Sequence, residues 1–215
     1  MKVLIVGGGP LEIDQLNREL AERPDLIIAA DSGGKYLREI GCLPHILMGD
    51  FDSLDDEIVK EMGNAGVELI SYPIAKDQTD LELALDLALA QRATTIRILG
   101  GMGERLDHTL GNIGLLLKAY QQGVAAYLID SKQEAMVIGR GVELKARPGW
   151  GVSLIPLTLT VSGVTTTGLK FPLTNAELYL HETRGIHNEY IGETAVISLK
   201  EGLLLLIIFQ EKKPS

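Results

Sequence analysis

The sequence predicts an α/β protein: an N-terminal three-layer domain built on a mostly parallel sheet, followed by a C-terminal antiparallel β-sandwich. Two observations carry this. Through residue 129, apolar runs of strand length alternate with stretches of helical length, the pattern of a parallel sheet covered on both faces. Beyond Ser131 the helical periodicity stops, and short β-type runs punctuated by Gly and Pro take over, as in an antiparallel sandwich. The expected domains are residues 1–130 and 131–215, with no low-complexity linker between them. A chain of 215 residues, 46% hydrophobic, can bury a sizeable core and is not disordered.

The elements follow in order. Residues 3–6 form an apolar strand that runs into Gly7-Gly8-Gly9-Pro10, and a helix is expected over 11–21. Residues 26–30 form the second strand, closed by Asp31-Ser32-Gly33-Gly34 and followed by a helix over 34–40. Residues 46–48 form the third strand, with Gly49-Asp50-Phe51-Asp52-Ser53 at its end and a helix over 54–62. A strand at 67–70 precedes a helix over 79–91, where Thr79 and Glu82 have capping-box spacing and Asp80 falls in the first turn. Strands at 95–99 and 124–129 flank the last helix, 108–121. The β-type runs of the second part are 135–138, 142–144, 151–155, 158–161, 178–180, 194–199 and 203–209.

Composition limits the partners. A formal net charge of −9 disfavours duplex nucleic acid and anionic membranes. Cys42 is the only cysteine, which excludes an intramolecular disulfide and a cysteine-based zinc site; it reads as a small buried hydrophobe. No apolar run reaches the length of a membrane span, and the start is too short for a signal-peptide core, so a soluble, cytoplasmic protein is expected. Trp150 reads as core or turn packing, His45 and His181 lack metal-like partners, and Lys212, Lys213, Pro214 and Ser215 read as a solvated tail.

In parallel sheets, ligands bind beyond the carboxyl ends of the strands. Here those ends carry acidic residues: Asp31 after the second strand, Asp50 and Asp52 after the third, and Asp80 at the start of the fourth helix. Asp107 follows in the glycine-rich turn Gly100-Gly101-Met102-Gly103-Glu104-Arg105-Leu106-Asp107-His108. Each has a local explanation: Asp31 or Ser32, Asp52 or Ser53, and Asp107 could each cap a helix, and Gly7-Gly8-Gly9-Pro10 reads first as a tight turn. Together, five carboxylates at one sheet edge would repel without a cation, and oxygen ligands suit magnesium. The glycine-rich turn and the Arg105 fork suit phosphate, and Asn112 shares a helix face with His108. The reading is a magnesium–nucleotide phosphate site. An aspartate-nucleophile phosphatase is a rival on Asp50-Phe51-Asp52-Ser53 alone, but it leaves the later motifs unexplained.

Several of these segments, in this order and spacing, resemble the thiamine pyrophosphokinase family: Gly49-Asp50-Phe51-Asp52-Ser53, Lys76-Asp77-Gln78-Thr79-Asp80 and Gly103-Glu104-Arg105-Leu106-Asp107-His108. Asp31-Ser32-Gly33-Gly34 is similar to the family's Asp-Gly-Gly segment. Thr166-Thr167-Gly168-Leu169-Lys170-Phe171-Pro172-Leu173 and Gly185-Ile186-His187-Asn188-Glu189 resemble its thiamine-side motifs. The resemblance spans nearly the whole chain. It implies a homodimer with active sites at the subunit interface, an ATP- and Mg2+-binding catalytic first domain, and a second domain for thiamine binding and dimerisation. It also implies transfer of the pyrophosphoryl group of ATP to the thiamine hydroxyl, releasing AMP. By position it implies Asp50, Asp52 and Asp80 at magnesium, catalysis by these with Arg105, and Asp31, Gly33, Arg105, Asp107, His108 and Asn112 at ATP. Asp77, Gln78, Thr167, Phe171, His187 and Asn188 lie towards thiamine. Many members carry Trp where Phe171 stands and Ser where His187 stands. A smaller ring and an imidazole bear on the acceptor and leave the nucleotide chemistry untouched. Another pyrimidine- or pterin-type alcohol, or a silent thiamine or nucleotide sensor, is the alternative.

Overall fold

The computed structural model describes residues 1–73, 75, 77–103 and 105–211; Lys76 and Glu104 of the motifs and the tail of Lys212, Lys213, Pro214 and Ser215 lie outside the described residues. The chain divides into two units, Met1–Ser131 and Lys132–Ser215.

In the first unit β1 (Lys2–Val6), α1 (Ile13–Ala21), β2 (Leu26–Ala30), α2 (Gly33–Glu39), β3 (Ile46–Gly49) and α3 (Asp56–Asn64) alternate. They continue with β4 (Glu68–Ser71), α4 (Asp80–Ala90), β5 (Thr95–Leu99), α5 (Leu106–Gln121) and β6 (Ala125–Ile129). The strands lie in the order β6-β5-β1-β2-β3-β4, and every neighbouring pair is parallel. Alternate side chains serve opposite faces. Leu4, Val6, Ile27, Ala29 and Leu47 pack with Leu16 of α1, Leu37 of α2, and Ile58 and Met62 of α3. The intervening Ile5, Ile28, Met48 and Ile98 are also buried; α4, which approaches β1, β2 and β3, and α5, which approaches β6, cover that second face. This is the three-layer arrangement the alternation predicts.

The helix starts differ from expectation in instructive ways. α3 begins at Asp56 because Leu54 is held in a turn by its N–H to the Phe51 carbonyl (3.1 Å) and is itself buried; Asp55, not Asp52 or Ser53, occupies the cap position. α5 begins at Leu106, so Asp107 sits inside the first turn and Arg105 takes the cap position. Cys42 is only half-buried, at the margin of the core. No helix among the described residues is long and apolar enough to cross a membrane.

The second unit holds β7 (Gln133–Ile138), β8 (Val142–Lys145), β9 (Trp150–Pro156), β10 (Thr160–Thr167), β11 (Ala176–Tyr179), β12 (Asn188–Glu189), β13 (Thr194–Ser198) and β14 (Leu204–Gln210). They form antiparallel sets β12-β9-β14-β7 and β11-β10-β13-β8. Val152, Leu154, Leu204 and Leu206 from the first set pack with Val161, Val164, Leu178 and Ile197 from the second, which makes a sandwich core. β10 continues well past residue 161, where the sequence reading stops it. Gly163, at φ +68°, supplies a bulge that shifts the register between Val161 and Val164 without ending the strand.

Candidate active site

Strand order reverses direction at β1: β2, β3 and β4 extend to one side, β5 and β6 to the other. β1 and β5 lead into helices on opposite faces of the sheet, and the crevice at such a switch point is where open α/β sheets take ligands. A cavity of about 410 Å³ lies there. Gly8, Gly9 and Pro10 line it after β1, Asp31 after β2, and Gly100, Gly101, Met102 and Gly103 after β5. Thr79 at the cap of α4 with Asp80 and Leu81 in its first turn, and Arg105 at the cap of α5 with His108 and Asn112 on that helix, complete the wall.

The glycines around it serve mainly to let backbone touch backbone. The Gly9 N–H donates to the Gly100 carbonyl at 3.1 Å, and a Cβ on Gly100, which sits at φ +66°, would lie 2.4 Å from the Gly7 carbonyl oxygen. Gly33 is the extreme case: its Cβ would lie 1.9 Å from the Val6 carbonyl oxygen. Gly33 is buried and absent from the cavity wall, so its position answers to packing between the β1 end and α2.

The carboxylates gather at one edge of this cavity. Asp31 adopts φ +49°, a left-handed conformation that Asp tolerates better than most residues, and its N–H donates to the Met48 carbonyl at 2.7 Å. Gly49 brings the end of β3 so close that a Cβ there would lie 3.2 Å from Asp31 Cα. Asp31, Asp50 and Asp52 can then present one oxygen each, all within 4.8 Å of one another. The Ser53 hydroxyl donates to Asp31 Oδ2, while Asp31 Oδ1 is buried with no partner among the described residues. The Asp52 N–H donates to Asp50 Oδ1 at 3.2 Å. Asp50, through a side-chain hydrogen bond and then its charge, pushes the Asp52 carboxyl above its ordinary value; Asp31 and Asp80 add to this. Three hard oxygen donors and an orphaned carboxylate oxygen fit a divalent cation such as Mg2+. The trio differs from the expected one: Asp31 is its third member, while Asp80 stands outside it in the first turn of α4, its charge felt at Asp52.

On the helical side, the Thr79 hydroxyl accepts the Glu82 N–H at 3.2 Å, half of the expected capping box. Gln78 Nε2 donates to Asp86 Oδ2 at 3.0 Å, and Asp77 is exposed. Arg105 forks onto Asp107 through Nε at 3.2 Å and Nη2 at 2.6 Å. That fork, with the His108 N–H, holds Asp107 at about 2, and it raises Arg105 in turn. Asp107 is thus an anchor for Arg105 and is absent from the cavity wall. Asn112 is buried and donates from Nδ2 to the Gly101 carbonyl at 2.7 Å, bracing the glycine turn.

In the second unit, a narrow cleft of about 50 Å³ is lined by Val152, Leu154, Leu169, Phe171, His187 and Asn188, among others. Phe171 and Asn188 are locked reciprocally: the Phe171 N–H donates to Asn188 Oδ1 at 2.9 Å, and Asn188 Nδ2 donates to the Phe171 carbonyl at 2.8 Å. The Phe171 ring stays 58% exposed. His187 adopts φ +62°, and its N–H donates to Ser153 Oγ at 2.9 Å. Its ring lies 5.3 Å from that of Phe209, and Nε2 lies 3.4 Å from Glu211 Oε1. Thr167 is exposed and outside this cleft, whereas Thr166 is buried, its hydroxyl accepting the Leu173 N–H at 2.8 Å. The parts that sequence reasoning did not single out are Ser153, Phe209, Glu211 and Asp86. Each acts through a contact remote in sequence, and no local motif marks it.

Residues 17–128 match the family model described as the catalytic domain of thiamin pyrophosphokinase, and residues 142–204 match the one described as its vitamin B1 binding domain. The thiamine pyrophosphokinase of Bacillus subtilis is 34% identical over 206 residues, 94% of this chain and 96% of that one. The chain belongs to the thiamin pyrophosphokinase family. A crystal structure of the Bacillus subtilis thiamine pyrophosphokinase superposes with a TM-score of 0.89 at 30% identity, covering 99% of this chain and 100% of that one. The Geobacillus thermodenitrificans thiamin pyrophosphokinase gives 0.86 at 33% identity, covering 99% of both chains.

Proposed function

We infer that the chain is an enzyme that transfers the pyrophosphoryl group of ATP to the hydroxyl of thiamine, giving thiamine pyrophosphate and AMP. The observation that carries the reading is the coincidence of family matches over residues 17–128 and 142–204 with a carboxylate trio at the edge of the switch-point cavity. The thiamine oxygen forms a bond to the β-phosphorus of ATP, the bond from that phosphorus to the α-phosphate oxygen breaks, and AMP leaves. Such displacements depend on positioning and charge neutralisation more than on covalent help from the protein.

The residues divide the work. Asp31, Asp50 and Asp52 would hold Mg2+, with Asp80 next to them. When bound, the ion neutralises phosphate charge and orients the reacting oxygens. Arg105, pre-set by Asp107, and the turn at residues 100–103 face the charge that develops on the transferred group. His108 and Asn112 complete the nucleotide wall. A carboxylate of the segment at residues 77–80 takes the hydroxyl proton. The exposed Phe171 ring, fixed by Asn188, offers thiamine an apolar surface, and His187 adds a polar edge. The assembly we propose is a homodimer with active sites at the subunit interface, working in the cytoplasm, where ATP is supplied.

The test is to incubate the purified protein with ATP, Mg2+ and thiamine and to separate the products. AMP and thiamine pyrophosphate in equal amounts support the reading. AMP formed only with a different alcohol moves the acceptor, and ADP or intact ATP overturns the pyrophosphoryl transfer.

A further inference from the structure

One cation ties together the two helices that flank the cavity. Lys118, on α5, places Nζ 2.9 Å from Glu82 Oε1 and 2.6 Å from Asp86 Oδ1. Both carboxylates belong to α4 and lie four residues apart, hence on one helix face. Asp86 presents its other oxygen, Oδ2, to Gln78 Nε2 at 3.0 Å. Gln78 lies just ahead of the Thr79 cap and Asp80. Lys118 is six residues beyond Asn112, roughly 9 Å along the helix, and is no part of the cavity wall. Without its charge, Glu82 and Asp86 are like charges one turn apart. Asp86 then turns to water, and the Gln78 carboxamide loses its fixed acceptor.

We propose that Lys118 is a positioning residue that acts through Asp86 to hold the Gln78 carboxamide for the acceptor alcohol. The inference rests on the reading that puts Gln78 on the thiamine side of the reaction. The Lys118 and Asp86 side chains are each 37% exposed, and ion pairs this accessible to water add little global stability. Their geometric effect on Gln78 is therefore separable from folding.

The experiment is steady-state kinetics on Lys118→Met, Lys118→Arg, Gln78→Ala and the double variant Lys118→Met/Gln78→Ala, varying thiamine at saturating Mg–ATP and the reverse. Lys118→Met raises the KM for thiamine roughly three- to tenfold, the scale of one net hydrogen bond. The KM for ATP stays unchanged, and the melting temperature stays within about 2 °C of wild type. Lys118→Arg restores the thiamine KM, and in the Gln78→Ala background the loss of Lys118 adds nothing further. Asp86→Ala breaks the same link from the other helix and gives the same signature, should Lys118→Met fold poorly. Wild-type kinetics in Lys118→Met, a joint change of kcat and both KM values, or additive effects in the double variant overturn the inference. An unchanged thiamine KM in Gln78→Ala overturns it together with the reading of Gln78. A rise in Gln78→Ala with no effect of Lys118→Met or Asp86→Ala overturns the inference alone.

Discussion

Gly33→Ala separates two accounts of the glycines near the cavity. If Gly33 is there so that a nucleotide can approach the backbone, an added methyl group obstructs ligand and leaves the fold intact. The structure argues otherwise. The new Cβ would lie 1.9 Å from the Val6 carbonyl oxygen, 2.6 Å from its carbon and 3.1 Å from the Gly7 carbonyl carbon, against a working minimum of 3.0 Å. All three are main-chain atoms, so no rotamer change relieves the clash, and α2 or the end of β1 has to shift by about 1 Å. Overpacking of this kind costs about 3 kcal/mol. For a chain of this size that lowers the melting temperature by roughly 6–12 °C. The shift also moves Asp31, two residues upstream, so turnover falls together with stability. Thermal melting followed by circular dichroism, with Michaelis curves for ATP, reads both quantities. Gly114→Ala is the control: its Cβ meets nothing within 4 Å, it lies within α5, and the substitution is neutral or stabilising by up to about 1 kcal/mol. A Gly33→Ala protein that melts like wild type but shows a raised KM for ATP would refute the packing argument and restore the ligand-approach account.

Asp50→Asn and Asp52→Asn each lower turnover by about 100-fold, the scale of losing one preorganised charge-stabilising group. Without metal the Asp52 variant melts no lower than wild type, because the change relieves like-charge repulsion; smaller Mg2+-induced gains in melting temperature in both variants check the ligand assignment. Asp107, held at about 2 by Arg105, lies below the ordinary carboxylate value, so what the pair adds to stability is fully present above about pH 4 and is lost as pH falls through 2. The difference in melting temperature between wild type and Asp107→Asn is therefore flat from pH 5 to 9, and a slope in that interval contradicts the assignment. Asn188→Ala removes both hydrogen bonds to the Phe171 backbone and raises the KM for thiamine several-fold with the KM for ATP unchanged, measured as above.

The sequence carries the two-part architecture plainly, because strand-length apolar runs alternate with helices before Ser131 and not after it. It carries the carboxylates too, since strand-end position is a local property. What it does not carry is three-dimensional bookkeeping. That Asp31, rather than Asp80, joins Asp50 and Asp52 depends on parallel pairing of β2 with β3 and on Gly49 bringing their ends together. Asp107 looks like a cap from sequence, yet the helix starts one residue before it, and Arg105 captures it instead. The path of β10 through Gly163 is invisible to a reading in which glycine ends a strand. Thr166, rather than Thr167, faces inward because the bulge sets the alternation beyond it.

Asp31 belongs to the trio of carboxylates and also to the wall of the cavity. Under the proposed function this one side chain would serve two ligands, and their affinities would be thermodynamically linked. Whatever factor a bound cation would apply to the affinity for nucleotide, the nucleotide would apply to the affinity for the cation.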